Sequence, residues 1–220
     1  MNSTINKIGF WSGLTAFVAT ICYGIVQLLQ MYSVLSYPYD ERLIYGTSLC
    51  IVIPFVLEML ALHYITPDEK KFWSHAALIF TILYAVFVTA NYVVQLVTVI
   101  PMTLKGSLDE VRILQQTPHS LFWDFDALGY IFMGLATLFA IPIFNRSGFQ
   151  KWVKRAFIAN ALVTPLISIV YFYPDYSFDL LILGFPWIVT APLFMLLLAV
   201  LFRKITASNS AIKKKTPHRS

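Results

Sequence analysis

Charged residues are scarce in this sequence. Asp, Glu, Lys and Arg together make up 12% of its 220 residues, against about 25% in typical soluble domains. Hydrophobic residues make up 58%, and the mean hydropathy is +0.71. A bilayer accepts apolar faces directly, provided that every backbone polar group is bonded internally. The composition therefore excludes an ordinary soluble domain and predicts a membrane protein whose main partner is the lipid bilayer.

Cysteines and recognised catalytic motifs are also few or absent. The two cysteines, Cys22 and Cys50, lie inside apolar runs and suggest no disulfide framework. The sequence contains no HExxH, GxSxG, phosphate-binding loop or dinucleotide fingerprint. The four histidines are scattered and lack the spacing of a zinc site. The sequence thus predicts no metal, no cofactor and no nucleic-acid partner.

Long charge-free stretches are present instead. A transmembrane helix needs about 20 mostly apolar residues, and six stretches meet this requirement. They are 8–32, 43–65, 73–100, 123–144, 155–173 and 180–202. We therefore predict an all-α fold, in which residues 1–206 form an integral membrane bundle of six transmembrane helices. Residues 207–220 form a basic tail that we predict to be disordered, cytoplasmic and attracted to anionic lipids.

The positions of Lys and Arg predict the orientation of this bundle. Thirteen of the 16 basic residues fall on the side that holds both termini. Only Arg42, Lys105 and Arg112 fall on the other side. Because basic residues are enriched in cytoplasmic loops, we expect both termini in the cytoplasm, as for a plasma-membrane protein.

Polar residues inside the predicted spans cluster toward the outer leaflet. Gln27 lies in the outer half of the first span, and Asn91 and Gln95 lie one turn apart in the third. Buried polar groups are costly in a membrane, so these side chains should face protein. Hydrogen bonding between helices would explain them equally well.

The fourth span carries two aspartates near its start. Residues 124 and 126 are about 200° apart around a helix, so they cannot share a face. Asp126 aligns with Tyr130 and Thr137, which favours the interior, whereas Asp124 suits a solvated helix start. We therefore predict an outward-facing polar pocket formed by five residues: Gln27, Asn91, Gln95, Asp126 and Tyr130.

Glu58 is the one acid predicted deep within a span, the second, four residues after Pro54. It is a candidate for proton coupling. The alternative is a structural role in which it reaches the cytoplasmic interface or pairs with a basic residue such as Lys70 or Arg155.

The longest predicted outer connection runs from about residue 102 to residue 122. Its short apolar pattern predicts either an interfacial helix on the bilayer or a lid over an outer cavity.

Residues 126–144, DALGYIFMGLATLFAIPIF, resemble a stretch found in small multi-pass bacterial membrane proteins of the uncharacterised-domain kind. The resemblance implies a bacterial-type plasma membrane and no residue roles.

Three functional hypotheses follow from the sequence. The first is a non-enzymatic protein that binds or transports a small or lipid-like molecule through the outer pocket. The second is a membrane-embedded enzyme that uses Asp126 or Glu58 as an acid or base. The third is a scaffold or assembly partner without a ligand site.

Overall fold

The computed structural model describes residues 2–215, apart from the side chains of Asn2, Phe178 and residues 209–215. Within these residues the secondary structure is helical and contains no strand. Six helices are long and apolar enough to cross a membrane, which indicates a multi-pass membrane protein. The predicted all-α fold with six spanning helices is thereby confirmed.

We number these helices as spans 1 to 6. Span 1 is Asn2–Met31, span 2 Tyr39–Ile65, span 3 Lys71–Val94 with its continuation to Leu104, span 4 Leu121–Ala140, span 5 Gln150–Phe172 and span 6 Pro186–Lys215. Span 3 passes through a π-helical turn at Gln95–Val99 before its last turns, Ile100–Leu104. Short helical turns at Leu108–Val111 and Phe178–Leu181 lie in the connections.

The helices extend beyond several of the predicted boundaries. Those boundaries were placed near charged residues, but a helix continues into the interface, where charged side chains reach water. Span 1 therefore includes Lys7, and span 6 continues past Arg203. Part of the predicted tail, 207–215, is the end of span 6. Residues 216–220 lie outside the described residues, so the disorder of the tail stays a prediction.

The six spans form a closed ring in which each packs against its neighbours in the sequence and span 6 packs against span 1. Glycines mark close contacts in this ring: Gly13 lies beside Ala199, and Gly24 lies beside Ile188. Spans 1 and 6 are therefore antiparallel, and the start of span 1 and the end of span 6 lie at one end of the bundle. We call this the terminal end, and the opposite one the far end.

Large apolar side chains fill the middle of the ring. The fully buried residues there include Phe55, Met133, Phe157, Phe194 and Met195. The ring centroids of Phe55 and Phe194 are 5.7 Å apart, and those of Phe157 and Phe194 are 5.0 Å apart. These side chains form a packed, largely apolar layer inside the ring.

Candidate functional site

A cavity of about 400 Å³ opens at the far end of the bundle. Spans 1 to 5 and the connections at this end supply its walls. The lining residues are Tyr23, Gln27, Gln30, Met31, Glu41, Ile44, Tyr45, Tyr92, Gln116, Trp123, Asp126, Tyr171, Tyr176 and Leu181. The cavity therefore combines aromatic rings, amides and two carboxylates.

Asp126 is the most heavily hydrogen-bonded side chain of this cavity. Span 4 begins after Ser120, whose hydroxyl accepts from the backbone N–H of Trp123 at 3.2 Å and caps the helix. Asp126 lies in its second turn and is only 4% exposed. Its Oδ1 accepts from the hydroxyl of Tyr92 at 2.5 Å. Its Oδ2 accepts from the hydroxyl of Tyr171 and from the side-chain amide of Gln116 at 3.0 Å.

Three neutral donors therefore hold the Asp126 carboxylate, and none of the groups bonded to it is a cation. A carboxylate buried in this way keeps its acceptors satisfied without a salt bridge. Asp124, two residues earlier, is exposed. The prediction from helical spacing is therefore confirmed: Asp126 faces the interior and Asp124 is exposed.

Gln116 connects the loop between spans 3 and 4 to the bundle. Its side-chain oxygen accepts from Nδ2 of Asn91 at 2.9 Å, and its backbone N–H donates to Oε1 of Gln95 at 3.2 Å. Nε2 of Gln95 also donates to the carbonyl of Leu114 at 2.7 Å. Asn91 and Gln95 therefore fix the loop in place, and the loop contributes Gln116 to the cavity. The choice between an interfacial helix and a lid for this connection stays a prediction.

A second chain of hydrogen bonds runs along span 1. The hydroxyl of Tyr23 bonds to that of Tyr130 at 2.8 Å and donates to Oε1 of Gln27 at 3.0 Å. Nε2 of Gln27 donates to Oε1 of Gln30 at 3.4 Å, and Nε2 of Gln30 donates to Oδ2 of Asp40 at 3.1 Å. The contact between Tyr23 and Tyr130 joins span 1 to span 4 across the ring.

A smaller cavity of about 90 Å³, which we call the side arm, adjoins the main cavity and shares five lining residues with it. Its other walls come from the apolar ends of spans 5 and 6 and from Tyr130. Trp187 lines this side arm, and its ring lies 5.0 Å from that of Tyr130 and 5.5 Å from that of Tyr23. The indole N–H of Trp187 is buried and has no hydrogen-bond partner among the described residues.

Aromatic side chains line the cavity together with Asp126. The ring centroids of Tyr45 and Tyr92 are 5.3 Å apart. The ring of Trp123 lies 4.6 Å from that of Tyr171 and 5.4 Å from that of Tyr176. Burial raises the pKa of Tyr176 above its ordinary value, so this residue meets the cavity as a neutral phenol.

The five residues predicted for the outer pocket have different positions. Gln27 and Asp126 line the main cavity, and Tyr130 lines the side arm. Asn91 and Gln95 are buried behind the wall and contact the loop rather than the cavity.

Glu58 lies in the terminal half of the bundle, away from this cavity. It is fully buried, and neither carboxyl oxygen has a hydrogen-bond partner among the described residues. Gly13 leaves room for it, beside Ala199. The alternative of pairing with Lys70 or Arg155 is wrong for this structure. Lys70 donates to the carbonyl of Ile143 at 2.8 Å, and the Arg155 guanidinium lies over the Trp152 ring.

Several cavity residues were not identified from the sequence. Gln116 is a polar residue in a polar loop, so no periodicity separates it from Gln115. The aromatic residues are common in apolar helices, where most of them pack in the core. The spacing of Glu41 and Tyr45, one helical turn apart, would have placed both on one face of span 2.

The fold and the cavity together define a multi-pass membrane protein with a closed ring of six helices and a polar, aromatic cavity at the far end. Comparison with known proteins adds no relative, since no family model, curated protein or solved structure matches the chain. The resemblance of residues 126–144 to bacterial membrane proteins thus depends on that segment alone.

Proposed function

We propose that this protein binds or transports a small or lipid-like molecule through the far-end cavity. The observation that carries the proposal is a cavity of about 400 Å³ lined by a buried carboxylate and several amides. This volume lies within the range of about 300–1,000 Å³ typical of ligand sites. Few convergent polar groups among apolar walls are also typical of such sites.

We further propose that the far end faces the outside of the plasma membrane and that both termini are cytoplasmic. The distribution of basic residues supports this orientation: only Arg42, Lys105 and Arg112 lie in or beside the far-end connections, and all three are exposed. The basic residues of the C-terminal tail would then face the anionic lipids of the inner leaflet.

Transport requires that the cavity also open toward the terminal end. In the described arrangement, the Tyr23–Tyr130 contact and the packed side chains in the middle of the ring close the path from the cavity to the terminal end. Two irregularities support a moving element: the π turn at Gln95–Val99 and Pro192 inside span 6. Such irregular turns weaken a helix locally and are frequent at functional sites. Pro186, by contrast, starts the helix, where its missing N–H is tolerated.

The two rival hypotheses have less support. An enzyme needs at least two reactive groups in contact with a substrate. Neither carboxyl oxygen of Glu58 has a hydrogen-bond partner among the described residues, and Asp126 accepts from Tyr92, Tyr171 and Gln116, with no second acid or base bonded to it. A scaffold needs no cavity at all.

Thiol labelling tests both the openness and the orientation of the cavity. In a background where Cys22 and Cys50 are replaced by alanine, Gln27→Cys is expected to react in intact cells with a membrane-impermeant maleimide. Val18→Cys, on the lipid-facing surface of the same helix, is the control and is expected not to react. If Gln27→Cys reacts only in inverted vesicles, the far end faces the cytoplasm and the proposed orientation is wrong. Failure from both sides would contradict an open cavity.

A ligand screen tests the function itself. Small molecules that bind the cavity are expected to raise the melting temperature of the purified protein, since a ligand that binds only the folded state stabilises it. Gln27→Trp, which fills the cavity with an indole ring, is expected to abolish these shifts. Leu162→Trp, on the exposed face of span 5, is the matched control and is expected to preserve them. A diverse library in which no compound distinguishes the filled variant from the control would contradict ligand binding.

A further inference from the structure

The charges of the far-end cavity have one sign. Glu41 and Asp126 line it, and none of the lining residues that the structure describes is Lys, Arg or His. The Lys and Arg residues at this end, Arg42, Lys105 and Arg112, and the histidine there, His119, are exposed and do not line the cavity. Since the donors on Asp126 are neutral, its charge has no positive counterpart in the cavity wall. A cation that enters the cavity would therefore be attracted, and an anion would be repelled.

The aromatic residues give a second, independent indication. Six of the cavity's lining residues are aromatic: Tyr23, Tyr45, Tyr92, Trp123, Tyr171 and Tyr176. The hydroxyls of Tyr92 and Tyr171 both donate to Asp126, which fixes these two rings on opposite oxygens of the carboxylate. A carboxylate between aromatic rings is the environment that proteins use for alkylammonium groups, whose diffuse charge interacts with ring faces. A small hydrated metal ion would not need the rings.

The side arm indicates what accompanies the charge. Its walls are largely apolar and include Ile167, Val170, Phe185 and Ile188. The arm shares Tyr23 and Tyr171 with the main cavity, so the two spaces lie side by side. Trp187 also lines the arm and is only 6% exposed, so the arm suits an apolar group of the ligand.

We infer that the ligand of this cavity is an organic cation, an amine or quaternary ammonium that carries an apolar group. The cationic head lies among the rings beside Asp126 and Glu41, and the apolar group occupies the side arm beneath Trp187. This assignment rests on the proposed binding function and specifies the chemistry of the same site.

Three probes of similar size and different charge test the assignment. Benzyltrimethylammonium is the cation, N,N-dimethylbenzamide the neutral compound and benzenesulfonate the anion. Affinities are measured by titration calorimetry with the full chain in lipid nanodiscs. We expect the cation to bind at least tenfold more tightly than the neutral compound, and the anion to bind most weakly.

Single substitutions test which carboxylates of the cavity are responsible for the preference for the cation. Asp126→Asn is expected to weaken binding of the cation at least tenfold while changing the affinity for the neutral compound less than twofold. Glu41→Gln removes the other lining carboxylate, which makes no side-chain hydrogen bond among the described residues, and is expected to weaken cation binding severalfold. It keeps the test decisive if Asp126→Asn folds poorly. Asp124→Asn, two residues from Asp126 and exposed outside the cavity, is the matched control and is expected to bind like the wild type.

The outcomes separate the assignment from the function on which it rests. Equal affinities for the cation and the neutral compound, or a preference for the anion, would overturn the cationic ligand and leave a binding cavity. Cation binding that neither Asp126→Asn nor Glu41→Gln weakens would place the cation elsewhere and overturn the assignment. No binding of any probe at millimolar concentration would overturn it too, and the ligand screen with the filled variant then decides whether the binding function survives.

Discussion

Asp126→Ala is expected to destabilise the protein by about 2–5 kcal/mol, because it removes the acceptor for three donors at once. The hydroxyls of Tyr92 and Tyr171 and the amide of Gln116 all donate to this carboxylate. Hydrogen bonds between membrane helices are individually worth about 0.6 kcal/mol and at most about 1.7 kcal/mol. Their simultaneous loss, with donors left buried, accounts for the size of the effect.

The effect should be measured by reversible denaturant unfolding of the purified protein in mixed micelles. Asp124→Ala is the control: it removes an exposed carboxylate from the same helix and should change the unfolding free energy by less than about 0.5 kcal/mol. Asp126→Asn should lie between the two, because its amide keeps one acceptor oxygen and turns the other position into a donor. Equal stability of Asp126→Ala and the control would show that the network contributes nothing.

The same substitution should also release the loop between spans 3 and 4. Gln116 bonds to Asp126 on one side and to Asn91 and Gln95 on the other, so one of its anchors is lost. Cleavage by a protease near His119, in the exposed part of that loop, should become faster in Asp126→Ala than in the control.

The helices and the buried face of span 4 could be predicted from the sequence because both depend on local spacing. A run of about 20 apolar residues must be helical in a bilayer, since only a helix satisfies its own backbone there. The 3.6-residue period then separates Asp126 from Asp124 without reference to any other span. The same period places Asn91 and Gln95 on a protein-facing stripe, and both are buried.

The partners of these polar residues could not be predicted, because they depend on which span lies opposite. The sequence predicts Asn91 and Gln95 in the pocket. In the structure, the loop after span 3 folds back onto the bundle, where Gln116 accepts a hydrogen bond from Asn91 and the carbonyl of Leu114 accepts one from Gln95. The closure of the ring between spans 1 and 6 likewise brings Tyr23 close to Trp187, although they lie at opposite ends of the chain. Periodicity identifies a face that meets protein, whereas the identity of the neighbour is a property of the assembled ring.

Glu58→Met is expected to stabilise the protein by about 1–3 kcal/mol, which is the usual penalty of a buried polar group without a partner. Glu58 is fully buried, and both of its carboxyl oxygens lack hydrogen bonds among the described residues. Methionine has a similar length and an adaptable, apolar side chain, so it fills the space at Gly13 without the penalty. Glu58→Gln should be much less stabilising, because its amide needs partners as well.

A residue that weakens the fold is retained where it serves a function, so the stability measurement should be paired with a functional one. Glu69→Met is the control: it replaces an exposed glutamate at the terminal end and should change stability by less than about 0.5 kcal/mol.

If Glu58 is the proton-coupling residue, Glu58→Met should fold more stably than the wild type and lose proton-driven uptake of the cavity's ligand into liposomes. A stabilised variant with undiminished uptake would remove Glu58 from the transport mechanism. A destabilised variant would mean that the carboxyl group makes contacts that favour the folded state.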